Sequence, residues 1–399
     1  MYTLLLAVIY LAFISLGLPD SLLGSGWPVM HETFNVPLSY MGIVSMVISG
    51  GTIVSSLISD RLTKKLGTQI VTLFSVFLTA IALFGFSISN QFWLIIVFAI
   101  PYGLGAGAID AALNNYVALH YTSKHMSWLH CFWGVGTVVS PLVMSYALTT
   151  SSWNMGYGII SMIQIGIVFV LLVTLPLWKV NKEKAEKEAK KEIVGLKDVL
   201  KIKGVPTLLL GFFGYCAIEA TAMSWSATYL TTVEHMHVEK AAAFASMVFI
   251  GITIGRFLGG FLMDKLGDRN MIRLGTMLAI IGIICLIIPV NTALFSTIGF
   301  FFMGFGFAPI YPCIIHSTPS NFGAKYSGAI IGIQMASAYL GSTFIPPLYG
   351  VLGKLFGYAI LPMYLIVFLI LMIVMIERTF RMTEREKEGV CDTSGLECE

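Results

Sequence analysis

Twelve apolar runs, each long enough to cross a bilayer as a helix, follow one another along this chain. In the first half they fall at roughly 3–29, 38–59, 69–88, 92–118, 127–149 and 156–178. In the second half they fall at roughly 205–231, 241–263, 270–290, 293–316, 325–350 and 358–377. About 20 apolar residues span the hydrocarbon core, and each run must satisfy its own backbone N–H and C=O groups there, which a helix does. Hydrophobic residues make up 57% of the chain, charged residues 11%, and the mean hydropathy is +0.85. A water-soluble fold cannot hide that much apolar surface. The fold class expected is an all-α membrane protein of twelve transmembrane helices.

Two charged turns interrupt the apolar pattern at matching places. The first contains Asp60, Arg61, Thr63, Lys64 and Lys65; the second contains Asp264, Lys265, Gly267, Asp268 and Arg269, with 204 positions between the two leading aspartates. Each aspartate follows a glycine nine residues earlier, Gly51 or Gly255. A repeat at half-chain spacing marks a duplicated bundle. The expected organisation is two pseudo-symmetric six-helix bundles, 1–180 and 204–378, joined by a charged linker, 181–203, and followed by a tail, 379–399, expected to be disordered. The linker alternates Lys and Glu at helical spacing, which suits a solvated helix near an anionic leaflet. Its expected role is that of a passive tether.

Basic residues set the orientation. Of 24 Lys and Arg, all but Lys240, Lys354 and Arg256 lie in loops after even-numbered spans, in the linker or in the tail. The positive-inside rule therefore puts both termini and both charged turns in the cytoplasm, in a multi-pass plasma-membrane protein. The start of the chain lacks the basic n-region of a signal peptide and reads as the first helix. Cys131, Cys216, Cys285 and Cys313 lie within spans and Cys391 and Cys398 in the tail; none has metal-ligand spacing, and all read as structural. With 39 glycines, close helix–helix approach is expected.

The turn at Asp60, and more closely Gly260-x3-Asp264-Lys265-x-Gly267-Asp268-Arg269, resembles the signature loop of the major facilitator superfamily. That resemblance covers all twelve spans and implies a secondary transporter working by alternating access. In the first copy Ser56 and Thr63 stand where the signature has glycine, so this copy reads as having lost its glycines. Independently of the family, an aspartate at a helix end can accept hydrogen bonds from backbone N–H groups at a neighbouring helix start. Such contacts close one face in one state and break in the other. Asp60, Arg61, Asp264 and Lys265 are expected to gate, with Arg256 serving packing or the turn at Asp264.

An ionisable group at the bilayer centre costs about 2.5–3.5 kcal/mol on insertion scales, so each one needs a reason. The first span carries Pro19-Asp20, where proline breaks the helix near midplane. The fourth span places Gly103, Gly107, Asp110 and Asn114 on one stripe, with Asn115 following. The fifth carries His130 and Trp133, and the seventh Glu219, Trp225 and Tyr229. Carboxylate, amide and imidazole groups (Asp110, Asn114, Asn115, His130, Gln334) suit the hydroxyls of a polyol, and Trp133, Trp225 and Tyr229 suit the apolar face of its ring. Pro309 and Pro312 suggest a broken tenth helix, and Pro346-Pro347 a bend in the eleventh. His316 reads as interfacial.

The Asp110-x3-Asn114 pair, the aspartate on helix 1, and Tyr215-x3-Glu219-x5-Trp225-x3-Tyr229 are similar to the fucose–proton symporter branch of that superfamily. The resemblance implies proton-coupling carboxylates at Asp20 and Asp110, with Glu219 as a third candidate, and Asn114 as a sugar ligand. The function expected is proton-coupled uptake of a neutral monosaccharide by a monomer, with no cofactor, no metal and no nucleic acid, and sodium as the alternative coupling ion. A scarcity of cations within the spans argues against an anionic solute. A proton-driven exporter is the alternative, because 27 Phe and 20 Met could line a permissive pocket. There is no nucleophile–base constellation, metal cluster or phosphate-cradling loop of the kind an enzyme or an ATP-driven pump requires, so neither is expected.

Overall fold

The computed structural model describes residues 2–181, 195–288 and 294–394, and all regular structure among them is helical. In the first half, α1 runs Tyr2–Asp20 and resumes as Leu22–Thr33; α2 is Met41–Leu66, α3 Thr68–Ser87, α4 Phe92–His120, α5 Ser123–Thr150 and α6 Trp153–Thr174. In the second half, α7 is Val205–Thr232, α8 Met247–Leu266 and α9 Asp268–Ile287. There α10 runs Leu294–Phe307 and resumes as Ile310–Phe322, α11 is Ala324–Phe356 and α12 Leu361–Ser394. Among the described residues twelve helical segments are long and apolar enough to cross a membrane. Their outer faces carry large apolar side chains in the open, such as Phe74, Phe169, Leu172 and Val173 on α3 and α6. Lipid is the solvent for such a surface.

Glycine sets how closely the helices approach. A Cβ at Gly107 would lie 2.1 Å from the Thr52 carbonyl oxygen, and one at Gly103 would lie 2.2 Å from that of Ile48, so α4 rests on the backbone of α2. In the second half, a Cβ at Gly304 would lie 2.0 Å from the Val248 oxygen and one at Gly251 2.3 Å from that of Phe301, bringing α10 onto α8. The repeat seen in the turns therefore extends to the packing of corresponding helices. Small residues are the means of association where lipid removes the hydrophobic drive.

Proline breaks α1 and α10 where the sequence expects it to. Pro19 has no N–H to give to the Ser15 carbonyl one turn back. The Gln164 Nε2 of α6 fills that vacancy, donating to the Ser15 oxygen at 2.5 Å. In α10 the break ahead of Pro309 leaves the Phe307 carbonyl at a helix end, where the Tyr215 hydroxyl of α7 lies 3.0 Å from it. By contrast α11 remains helical through Pro346 and Pro347.

Three sequence expectations are corrected. The first charged turn has not lost its glycine. Gly67 and Gly267 end α2 and α8 with the same left-handed backbone, φ 86° and 73°. Gly67 comes seven positions after Asp60, whereas Gly267 comes three after Asp264, so the first copy carries one extra helical turn. Thr63 sits inside that turn, its hydroxyl donating back to Ser59 and Asp60 carbonyls. The tail is not disordered from residue 379: α12 continues to Ser394, with Thr379 and Thr383 buried and Glu377 and Glu384 bonded to arginines of α9. Residues 182–194 of the linker and 395–399 of the tail lie outside the described residues.

The third correction concerns the boundary between the two units. One unit holds the residues through Tyr116 and those from Trp128 to the linker; the other holds Val117–Ser127 together with the residues after the linker. The connection from α4 to α5 thus packs with the second unit. The cause is a set of hydrogen bonds to the second charged turn: Thr122 Oγ1 and the Lys124 N–H donate to Asp264 at 3.2 and 3.3 Å, and Ser123 Oγ donates to Asp268 at 2.5 Å. An aspartate pair at the start of a helix also meets the positive end of its dipole.

Candidate functional site

Within the first unit, α1 and α5 are pressed together by two more glycines. A Cβ at Gly17 would lie 2.1 Å from the Trp133 carbonyl oxygen, and one at Gly136 would lie 2.4 Å from that of Ile14. That approach brings α5 side chains to the broken end of α1. Trp133 Nε1 donates to Asp20 Oδ2 at 2.8 Å, and the Tyr102 hydroxyl of α4 donates to Asp20 Oδ1 at 3.0 Å. Asp20 is exposed at the surface of its unit, and Tyr102 beside it is buried. The two oxygens differ in what protonation would do. Indole N–H can only donate, whereas a phenol can reverse and accept, so a proton fits on Oδ1 without losing either contact.

A second polar layer lies on the same three helices. Tyr102 and Asp110 are eight residues apart on α4, which at 1.5 Å per residue is about 12 Å. Here Asn114 Nδ2 donates to Asp110 Oδ1 at 2.8 Å and to the Asp110 carbonyl at 3.0 Å. Asn114 Oδ1 lies 3.0 Å from His130 Nε2. The backbone carbonyl can only accept, so it fixes the amide with its NH2 toward Asp110 and its oxygen toward His130, and His130 Nε2 must carry a proton. The Phe13 ring of α1 meets the imidazole edge-on at 5.4 Å. Asp110, Asn114 and His130 are 5%, 0% and 5% exposed, so this layer is sealed where the Asp20 layer is open. Asn115, next on the helix, is half-buried.

The second unit carries the other expected site residues, bound differently. Glu219 Oε1 accepts from the Tyr215 hydroxyl at 2.8 Å and faces Arg256 Nη2 at 3.5 Å, an ion pair between α7 and α8. Arg256 thus serves Glu219 rather than the turn at Asp264. Gln334 is fully buried and accepts from Thr318 Oγ1 at 2.9 Å, tying α11 to α10. Trp225 Nε1 donates to the Pro346 carbonyl at 2.8 Å, and its ring stacks on Tyr358 at 5.7 Å. The Tyr229 hydroxyl donates to the Leu286 carbonyl at 3.1 Å. The Trp225 and Tyr229 polar atoms are thus bonded to other helices of their unit, whereas Gln334 Nε2 is buried with no hydrogen-bond partner among the described residues.

The residues expected to gate are also unequal. Asp60 is 8% exposed inside α2 and pairs with Lys64 of its own helix at 2.8 Å, while Arg61 is exposed. Asp264 and Lys265 are exposed near the end of α8, and Asp264 takes the bonds from Thr122 and Lys124. The extra helical turn before Gly67 accounts for the difference, because it moves Asp60 off the helix end. Tyr102, Gln164 and Ser123 are polar contributors with no place in the sequence reading. Tyr102 carried a usable signal, standing two turns before Asp110 on the glycine-striped helix. Gln164 and Ser123 carried none, since their partners are backbone or distant in sequence.

This arrangement, two polar layers in a helical bundle built on a repeated small-residue packing scheme, has relatives. The chain is 22% identical over 352 residues to a glucose/mannose transporter of Bacillus subtilis, with 86% of each chain covered. A putative glucose/galactose transporter of Helicobacter pylori J99 is 26% identical over 262 residues, 62% of this chain and 63% of the relative. The Escherichia coli fucose:proton symporter superposes with a TM-score of 0.72 at 16% identity, covering 95% of this chain and 99% of that one. A proton:xylose symporter superposes with a TM-score of 0.75 at 14% identity, covering 92% and 94%. At such identities the structural likeness concerns the fold. The Major Facilitator Superfamily model matches residues 9–346, from within α1 to within α11. With twelve membrane-spanning helices and a duplicated charged turn beneath that match, the chain belongs to the Major Facilitator Superfamily and is a membrane transporter, not an enzyme.

Proposed function

We propose that this transporter takes up a neutral monosaccharide, a hexose or deoxyhexose, together with protons, through the cytoplasmic membrane with both termini inside. The observation that carries the reading is the bond pair at Asp20: an accessible carboxylate at a helix break, held by one donor that is fixed and one that can reverse. Proton loading at Oδ1 needs only rotation of the Tyr102 O–H, so the site can change charge without rebuilding. Trp133 then has two uses. Its N–H steadies the carboxylate, and its ring face offers a surface for the apolar side of a sugar. Asp110, sealed against Asn114, is the second coupling candidate, and Asn114 meets a solute only by exchanging one of its present bonds.

Sugar as the cargo is supported by the functions of the Bacillus and Helicobacter relatives, and coupling to protons by those of the fucose and xylose symporters. Commitment of Arg256 to Glu219 supports a neutral solute, because an anion would want that guanidinium. Glu219 in this reading holds α7 to α8. The test is accumulation of labelled hexoses and deoxyhexoses in proteoliposomes with and without an inward proton gradient, for wild type and Asp20→Asn. Wild type concentrates the solute only with the gradient, and the variant does not concentrate it. Uptake indifferent to the gradient, or driven by sodium instead, overturns the coupling.

A further inference from the structure

His316 stands outside the sites described so far, yet both of its ring nitrogens are engaged. Nδ1 lies 2.7 Å from Asp268 Oδ2 and 2.8 Å from Ser123 Oγ, and Nε2 lies 3.1 Å from the Tyr121 carbonyl oxygen. Ser123 Oγ in turn lies 2.5 Å from Asp268 Oδ1. Three close contacts end on atoms that can only accept, namely the two oxygens of an ionised Asp268 and the Tyr121 carbonyl. Each needs a proton. Ser123 brings one. A neutral imidazole brings one more, which leaves a contact with no proton in it. The cluster closes only when the Asp268–His316 pair holds an additional proton, and imidazole is in general a stronger base than carboxylate, so the ring carries it.

We infer that His316, Asp268 and Ser123 form a second proton-binding site, separate from Asp20 and Asp110, whose occupancy fastens the α4–α5 connection to α9 and α10. His316 sits in the second piece of α10, Asp268 begins α9, and Tyr121 and Ser123 belong to Val117–Ser127. With the proton bound, one imidazolium bridges all three. Without it, the neutral ring keeps its N–H on Asp268 and turns the Nε2 lone pair to the Tyr121 carbonyl oxygen 3.1 Å away, and that contact changes from attractive to repulsive. The groups acting on the ring besides Asp268 and the Tyr121 carbonyl are Asp264 at the end of α8 and, one step further out beside Asp264, Lys124 and His125. Cys313, one turn earlier on α10, also faces Asp268. Among the described residues α7, α11 and α12 pack near this part of α10 and add no charged group acting on the imidazole.

The site responds to protons on the side of the membrane that carries the basic loops. Acid there strengthens the fastening and base loosens it, independently of any solute. The sign follows from linkage: the fastened form binds one more proton than the released form, so it gains as pH falls.

Amide hydrogen exchange of residues 117–127 in detergent-solubilised protein tests this, each rate divided by that of an unstructured peptide at the same pH. Between about pH 6 and about pH 8.5, which bracket the ordinary titration of histidine, wild-type protection should fall, approaching ten-fold per pH unit where one proton is lost. His316→Gln should show low protection with no pH dependence. His316→Lys keeps a cation throughout, so its protection should stay flat and higher than that of the glutamine variant. His125→Gln should behave as wild type. Wild-type protection that does not change over this range overturns the inference, and so does a pH dependence that survives in His316→Gln. Neither readout involves transport, so the cargo and coupling reading stands or falls separately.

Discussion

Trp133 Nε1 donates to Asp20 Oδ2 across 2.8 Å, joining the break in α1 to α5 at a point where Gly17 and Gly136 let the two backbones nearly touch. One indole thereby serves both packing and charge. A hydrogen bond to a charged acceptor contributes about 1.5–3 kcal/mol. Trp133→Phe keeps an aromatic face and removes that bond. Gradient-driven accumulation of solute should fall by about ten-fold or more, while solute affinity in counterflow exchange changes less. Equal losses in both assays would mean that Trp133 acts only through the solute.

The glycine contacts predict a sharp division among similar substitutions. Gly107→Val pushes side-chain atoms into the α2 backbone, where even a Cβ would sit 2.1 Å from the Thr52 oxygen. It should cost at least the 1–3 kcal/mol of ordinary overpacking, roughly, because backbone cannot step aside as a side chain can. A Cβ at Gly134, by contrast, meets nothing within 4 Å. Gly134→Ala should be neutral or stabilising by up to about 1 kcal/mol through helix propensity. Thermal unfolding in detergent, followed by tryptophan fluorescence, reads both.

The placement of the first turn glycine can be checked directly. Gly67→Ala and Gly267→Ala each force a left-handed backbone on a residue with a Cβ and should each cost about 1–2 kcal/mol. Thr63→Gly, which puts glycine where the signature pattern has it, places that glycine inside α2 and should cost about 1 kcal/mol instead of stabilising. Stabilisation by Thr63→Gly would contradict the one-turn offset between the two copies.

How much of this could be read from sequence follows from the range of the forces involved. Hydropathy over about 20 residues is a strong local signal, and all twelve helices, the breaks at Pro19 and Pro309, and the glycine stripe leading to Asp110 were legible from it. The Asp110–Asn114 bond was legible too, because residues four apart share a helix face. The offset of Gly67 was not, since Asp60 and Asp264 align whether or not the helix continues past them. Trp225, Tyr229 and Gln334 read as ligands because polar groups in lipid demand partners, and the bonds each makes to a neighbouring helix could not be read from sequence. Sequence cannot distinguish a backbone carbonyl of a neighbouring helix from a solute. The partners of His316 were hidden for the same reason: Asp268, Ser123 and Tyr121 meet it only through tertiary structure.

The Glu219–Arg256 pair calls for a double-mutant cycle. Both side chains are mostly buried, 15% and 6% exposed, so removing one charge leaves the other unpaired in a poor solvent. Glu219→Gln and Arg256→Met should each destabilise by roughly 3–5 kcal/mol, and the double variant should recover much of that loss. Additive losses would show that the two do not act as a pair. Recovery of stability together with gradient-driven transport would confine Glu219 to a structural role.

Proton movement evoked by the solute tests the account most directly. Proteoliposomes containing the transporter, with a pH-sensitive dye inside and no imposed gradient, would receive a saturating pulse of hexose or deoxyhexose from outside. The account predicts acidification of the lumen on solute addition, present in wild type and absent in Asp20→Asn, with solute exchange retained in that variant. Uptake of labelled solute by wild type with no accompanying acidification would contradict it.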